Sequence, residues 1–164
     1  EDLKEYSRSG VLSGLEFQKD FERLAWEHAG RTQAAPAQRL SDFLNGRTSA
    51  SLPAISYFPG VTSSPLHEWI PPLIADRLKA GFGFFGSVMK GFITNEAVIA
   101  GVESRTSSPV RIPRDPVTLE HIIVSGLYPC GEGSGYAGGI VSSAVDGMNT
   151  AEAVASRINP SEGN

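Results

Sequence analysis

Residues 126–147 read GLYPCGEGSGYAGGIVSSAVDG, and the organisation of the chain turns on them. Just before this stretch lies the apolar run Ile122–Ile123–Val124, continued by Leu127–Tyr128–Pro129, with the composition of a buried strand. Five glycines follow between Gly131 and Gly139. Beyond them Ile140, Val141, Ala144, Val145 and Met148 recur on one face of a helix. A strand, a glycine-rich turn and a helix in that order bring backbone N–H groups and a helix N-terminus to an anionic or polar ligand. Glycine lets the backbone approach such a group because no Cβ intervenes. Taken by themselves, the same glycines are equally explained by a tight turn with no ligand.

The remainder sets bounds. A chain of 164 residues is one or at most two domains with room for a core. A net charge of −4 gives no electrostatic footprint for nucleic acid. No apolar run approaches the ~20 residues that span a bilayer, so no membrane partner is expected. The single cysteine, Cys130, cannot form an internal disulfide, which fits a reducing cytoplasm, the expected location. No metal site is expected.

In chain order, Ser13-x-x-Glu16 has capping-box form, and Phe17, Phe21, Leu24, Ala25 and His28 continue an amphipathic helix that Gly30 can end. His28 reads as a helix-end residue rather than a base. Pro36 fits the first turn of a second helix, with Leu40, Phe43 and Leu44 as its stripe before Asn45–Gly46. Gln38 and Arg39 then lie either on a ligand side or on a solvated helix face. Residues 47–65 read as a loop, because Pro53 and Pro59 interrupt any central strand. A helical turn to Ile70 and a helix from Pro72 to about Ala80 follow, ended by Gly81, Gly83 and Gly86, with Phe82, Phe84 and Phe85 between them as core residues. Strands are expected near 97–103, 110–114 and 122–128, and a last helix from Tyr136 or Ala137 to Arg157.

The run LYPCGEGSGYAGGIVSSAVDG resembles the C-terminal, flavin-contacting segment of bacterial FAD-dependent dehydrogenases of uncharacterised type, in the superfamily of two-dinucleotide-fold flavoproteins. It departs from the usual form at Cys130, where Ala is common, and at Ser134. APAQRLSDFL (35–44) and GVESRTSSPVRIPRD (101–115) resemble the same family. The resemblance implies an α+β, mainly helical fold. Residues 1–96 would be part of a helical substrate-side domain, and 97–164 the last strand and helix of an FAD-binding, Rossmann-like domain. The phosphate turn Gly-x-Gly-x-x-Gly is absent from this sequence, so an N-terminal FAD-binding portion of the same protein is the expected partner, together with a small-molecule substrate.

The resemblance further implies that Gly131, Glu132, Gly133, Gly135, Tyr136, Ala137, Gly138, Gly139 and Ile140 contact FAD. Glu132 would orient the ribityl chain, and the backbone from Gly135 to Gly139 would face the flavin ring. Glu103, Arg105, Thr106, Ser107 and Ser108 would form the substrate side, where a carboxylate, a guanidinium and hydroxyls combine proton transfer, anion anchoring and hydrogen bonding. The alternative at that segment is a polar hairpin turn between Val102 and Val110. Cys130, lacking a second thiol, is expected to be a small buried residue beside the ring. By itself the chain is expected to bind FAD weakly, to be inactive, and to form a homodimer through the apolar face of its last helix. The competing reading is a non-enzymatic helical docking module with a vestigial turn.

Overall fold

Ala35–Arg39 forms β1, the middle strand of a three-stranded sheet, where a helix is expected from the sequence. In this computed structural model residues 3–105 and 107–159 are described. β2 (Val61–Ser63) pairs parallel to β1 and β3 (Val98–Ala100) antiparallel to it. Pro36 is compatible with a central strand because of its register. Alternate residues of β1 serve alternate neighbours: on the β2 side Ala35 N–H donates to Gly60 O (3.0 Å) and Ser64 N–H to Ala37 O (2.9 Å). On the β3 side Pro36 O accepts the Gly101 N–H at 3.1 Å, and the proline nitrogen lies beyond the last registered pair, Ala37–Ala100. The missing donor therefore breaks no rung of the ladder.

The chain divides into two compact units, one formed by Gln18–Ser104 and the other by Leu3–Phe17 with the residues from Arg105 onward. The division falls within α1 (Ser13–His28), between Phe17 and Gln18. β3, from the second of the two expected segments, pairs with β1 from the first, inside unit 1.

Unit 1 buries Phe21, Phe43, Leu66, Ile70 and Ala75 together, with Trp69, Ile74, Leu78, Phe82, Ile99 and Val102 packed around them. These side chains come from α1, α2 (Leu40–Leu44), α3 (Leu66–Trp69), α4 (Pro72–Val88) and β3. Phe43 and Leu66 are fully buried, each stabilising the fold by roughly 1.5–3 kcal/mol. α4 runs to Val88, through the glycines expected to end it. Each interior glycine costs about 1 kcal/mol relative to alanine. Packing of Ile74, Leu78 and Phe82 on the core offsets that cost and carries the helix through. Phe84 and Phe85, expected in the core, are exposed, since only Phe82 of the three lies on the inward face. β2 is likewise a strand inside the expected loop, short and at the sheet edge, after both prolines have passed. His28 stacks on Trp69, with ring centroids 4.7 Å apart and planes 8° from parallel.

Gln38 is neither on a solvated face nor beside a ligand. It is fully buried on β1, where its amide Nε2 donates to Arg47 O (2.7 Å) and meets His67 Nδ1 (2.7 Å), and its Oε1 accepts from the His67 N–H (3.3 Å). One side chain thus satisfies a backbone group of the loop at Arg47 and another in the first turn of α3, neither of which a strand reaches.

In unit 2, the 3-10 turns of Lys4–Leu12 precede α1, kinked at Gly10 (φ +54°). The expected capping box is replaced there: Ser13 Oγ donates back toward Gly10 O (2.5 Å) and Tyr6 O (2.9 Å), because helical turns already precede it. α5 (Ile140–Ile158) begins after the glycines, so Gly138 and Gly139 lie in its approach. Residues 110–114 and 122–128 are not strands; a single bridge joins Arg114 to His121, just before the second segment. The reason for the second is local. His121 Nδ1 accepts the N–H groups of Ile123 (3.0 Å) and Val124 (2.9 Å), and the Glu120 carboxylate accepts that of Gly126 (2.5 Å), folding the run into turns. Ile122, Ile123 and Val124 are consequently exposed. No described helix is long and apolar enough to cross a membrane.

Replacing Gln38 by Leu should destabilise unit 1 by roughly 1–3 kcal/mol, because the Arg47 carbonyl and His67 N–H lose their buried partner. Urea denaturation monitored by Trp69 fluorescence reads this directly, and an unchanged midpoint would contradict it.

Candidate functional site

The glycine turn is held by an ion pair that the sequence does not announce. Arg114 Nη2 lies 2.6 Å from Asp146 Oδ1 and its Nη1 lies 3.1 Å from Oδ2, a fork-on-fork pair with both side chains largely buried. Asp146, on α5, also accepts the Gly131 N–H at 2.8 Å, and Arg114 Nη1 donates to Pro129 O at 2.7 Å. The Arg114 guanidinium sits 3.7 Å from the centroid of the Tyr136 ring and that of Arg111 4.3 Å. Tyr136 Oη accepts the Arg114 N–H at 3.0 Å. Start of the turn, end of the turn and helix are thereby tied to one guanidinium.

The hydrogen bonds from Arg114 hold the Asp146 carboxyl below the usual carboxylate range, against the opposing effect of desolvation. Asp115, with backbone N–H groups of Thr118 and Val117, and Glu120, with that of Gly126 and the Arg157 guanidinium, are shifted the same way. Arg157 itself pairs with Glu120 and donates to Tyr128 Oη (3.3 Å) and Ser125 Oγ (3.0 Å). A carboxylate lowered on folding contributes stability above its unfolded value, about 3.9 for Asp and 4.3 for Glu, that is lost as pH falls through the folded value.

Within the turn, Gly131 O accepts from Tyr136 N–H (3.1 Å) and Ser134 Oγ (3.2 Å), and Glu132 O from Gly135 N–H (2.9 Å). Gly135 has no substitute: its φ is +84°, and a Cβ there would stand 2.7 Å from Val110 O. Its close approach is thus to the protein's own backbone at 110–111. Ile112 N–H donates to Ser134 O (3.1 Å), which completes that seam.

Past the turn, Gly139 is extended and offers no side-chain cap to α5. The first turn of α5 opens on an apolar groove of about 790 Å³ lined by Tyr136, Gly139, Ile140, Val141, Val145 and Asn149, among others. Ile140, Val141, Ala144, Val145 and Met148 are all exposed, as their helical face predicts in the absence of a covering sheet. Glu132 and Ala137 are half-buried, and Gly133 and Gly138 exposed.

The expected substrate-side residues are divided. Glu103, exposed, belongs to unit 1; Arg105 and Ser107, exposed, and Ser108, half-buried, belong to unit 2. Thr106 lies outside the described residues. Ser108 Oγ donates to Val110 O (2.8 Å) and meets the glycine turn at Gly133 O, a longer second acceptor (3.3 Å). Cys130 is exposed, not buried, since the neighbouring Pro129 takes the inward position. Sequence reasoning passed over Arg111, Arg114 and Asp146; the i, i+3 spacing of the two arginines and an acid on an otherwise apolar helix were the available signals.

A family model described as FAD-dependent protein, C-terminal domain-like, matches residues 2–106. The chain belongs to that family. It is also 42% identical over 151 residues to a Clostridium beijerinckii protein named "Uncharacterized protein", an alignment that covers 91% of this chain and 28% of that protein. The chain therefore spans under a third of the length of this relative. An unbroken alignment of that extent takes in Gly131–Ile140, which the family model does not reach.

Asp146→Asn should cost on the order of 2 kcal/mol at neutral pH, the scale for a hydrogen bond to a charged group. It should also reduce the stability lost between about pH 7 and pH 3, which urea midpoints at the two pH values measure. Gly135→Val should unfold the turn outright, visible as loss of the ring-current shifts that Tyr136 imposes on the Arg111 and Arg114 side-chain resonances; retention of those shifts would refute the strained fit.

Proposed function

We propose that the chain is the C-terminal part of an FAD-dependent oxidoreductase of dehydrogenase type, and that the start of α5 faces the flavin ring. The observation that carries this reading is the uncapped N-terminus of α5 beside an apolar groove. The family description, which names FAD, favours it over a docking module without chemistry. The relative's much greater length supports an N-terminal portion that would hold the rest of the cofactor.

The residues suit such a group. The groove falls within the ~300–1,000 Å³ of small-ligand and cofactor sites, and its lining is apolar, as a flat ring system requires. Bound flavin would supply hydride acceptance; the protein supplies orientation and electrostatics. The first backbone N–H groups of α5 have no intrahelical acceptor and carry the positive end of the helix dipole, so they stabilise negative charge developing beside them. Glu132 accepts hydrogen bonds from hydroxyls of the ribityl chain. Asp146 and Arg114 hold the turn so that these groups are fixed before the ligand arrives. Glu103, Arg105, Thr106 and Ser107 are assigned to the substrate side, in a Rossmann-like context that the N-terminal portion completes, with Ser108 positioning the turn.

The apolar face of α5 is assigned to contact with that N-terminal portion. Without it the face finds a second copy of itself. The 164-residue chain is therefore expected to be dimeric by light scattering and to bind FAD only weakly. The longer protein is expected to be yellow with flavin absorbance bands, and Glu132→Ala in it to weaken FAD affinity about tenfold by equilibrium dialysis. A folded longer protein that takes up no added FAD would end the proposal.

A further inference from the structure

Unit 1 contains a second cavity, polar and unrelated to the glycine turn. It has a volume of about 520 Å³, and Arg39, Asp42, Arg47, Thr48, Ser51 and Asn95 lie in its wall with Glu96. All of these residues fall within the segment that the family model matches. We propose that this pocket binds a small hydroxylated organic acid through its carboxylate.

The wall is built rather than incidental. Arg39, at the end of β1, is four-fifths buried. Its Nε donates to Ser51 O (2.7 Å), its Nη2 to Ser51 Oγ (3.3 Å) and its Nη1 to Asn95 O. Among the described residues this leaves one N–H on each terminal nitrogen for a further acceptor such as a carboxylate. Ser41 Oγ fixes Asn95 by donating to its Oδ1 at 2.8 Å.

The acids in the wall are unequal. Asp42 is committed: its Oδ2 accepts from the buried Ser49 Oγ (2.8 Å) and its Oδ1 lies 3.2 Å from Arg47 Nη2. Glu96 stands 3.9 Å from Arg39 with its side chain 80% exposed, a separation at which an ion pair in water holds little. An incoming carboxylate displaces only this loosely held group, and Arg47, itself exposed, reaches the same anion. Two arginines against two acids leave the wall formally neutral, so a doubly charged phosphate meets more repulsion from Asp42 and Glu96 than a singly charged carboxylate does. Thr48, Ser51 and Asn95 offer hydrogen bonds to hydroxyls of the ligand.

The test is a titration of the intact ¹⁵N-labelled chain with gluconate and lactate, beside inorganic phosphate and glycerol, followed by amide shifts. Gluconate should produce saturable shifts confined to the residues around 39–51 and 95–96. Arg47→Ala should weaken that binding roughly tenfold or more, the scale of a hydrogen bond to a charged group, and Arg47→Lys should weaken it less. Glu96→Gln, at an exposed position that leaves the fold intact, should tighten it by removing the competing carboxylate. Absence of saturable shifts with either acid, equal binding by Arg47→Ala, weaker binding by Glu96→Gln, or tighter binding of phosphate would each overturn the proposal.

Discussion

The pairing of Arg114 with Asp146 is the constraint on which unit 2 rests. Residues 107–139 carry no strand ladder, so their backbone groups and their path need other anchors. One guanidinium meets the helix through Asp146, the chain before the turn through Pro129 O, and the end of the turn through the Tyr136 ring. The same carboxylate takes the first N–H of the turn. A pair removed from water to this degree is tolerable because both Asp146 oxygens and both terminal nitrogens of Arg114 have hydrogen-bond partners. The helix tip and the glycine run are thus one rigid object, which a site for a flat ligand requires.

Unit 1 solves a similar problem with one buried amide. Its sheet is small, two of its strands having three residues each, and the loops around β1 are long. Gln38, on the central strand, binds Arg47 in the loop and His67 in α3 at once. Arg39, the next residue, faces the opposite way and ties Ser51 and Asn95. The alternation of a strand thereby turns two adjacent polar residues into a core pin and a pocket wall. Placed on a helix, as their sequence context invites, neither would do this.

Local pattern determined several elements outright. The period of Phe17, Phe21, Leu24, Ala25 and His28 is a helix in any context that buries it, and α1 is that helix. The same holds for the stripe from Ile140 to Met148, for the break at Pro71–Pro72, and for the β-rich run that becomes β3. The glycine turn was legible as a turn because φ values such as +71° at Gly131 and +84° at Gly135 are open to little else. The family resemblance in 35–44, 101–115 and 127–147 came from residue identities, independently of any of these elements.

What only the tertiary structure decided is whatever depends on a partner distant in sequence. Ala35–Arg39 is a strand because Val61–Ser63 and Val98–Ala100 lie on either side of it, and no property of APAQR itself requires that. Ile122–Val124 is apolar enough for a strand but pairs with no strand among the described residues, and His121 claims the N–H groups of Ile123 and Val124 instead. Likewise an arginine at 114 and an aspartate at 146 become a clamp only when the fold closes the distance between them. Periodicity and backbone conformation are written locally; pairing and burial are set by what the rest of the chain brings alongside.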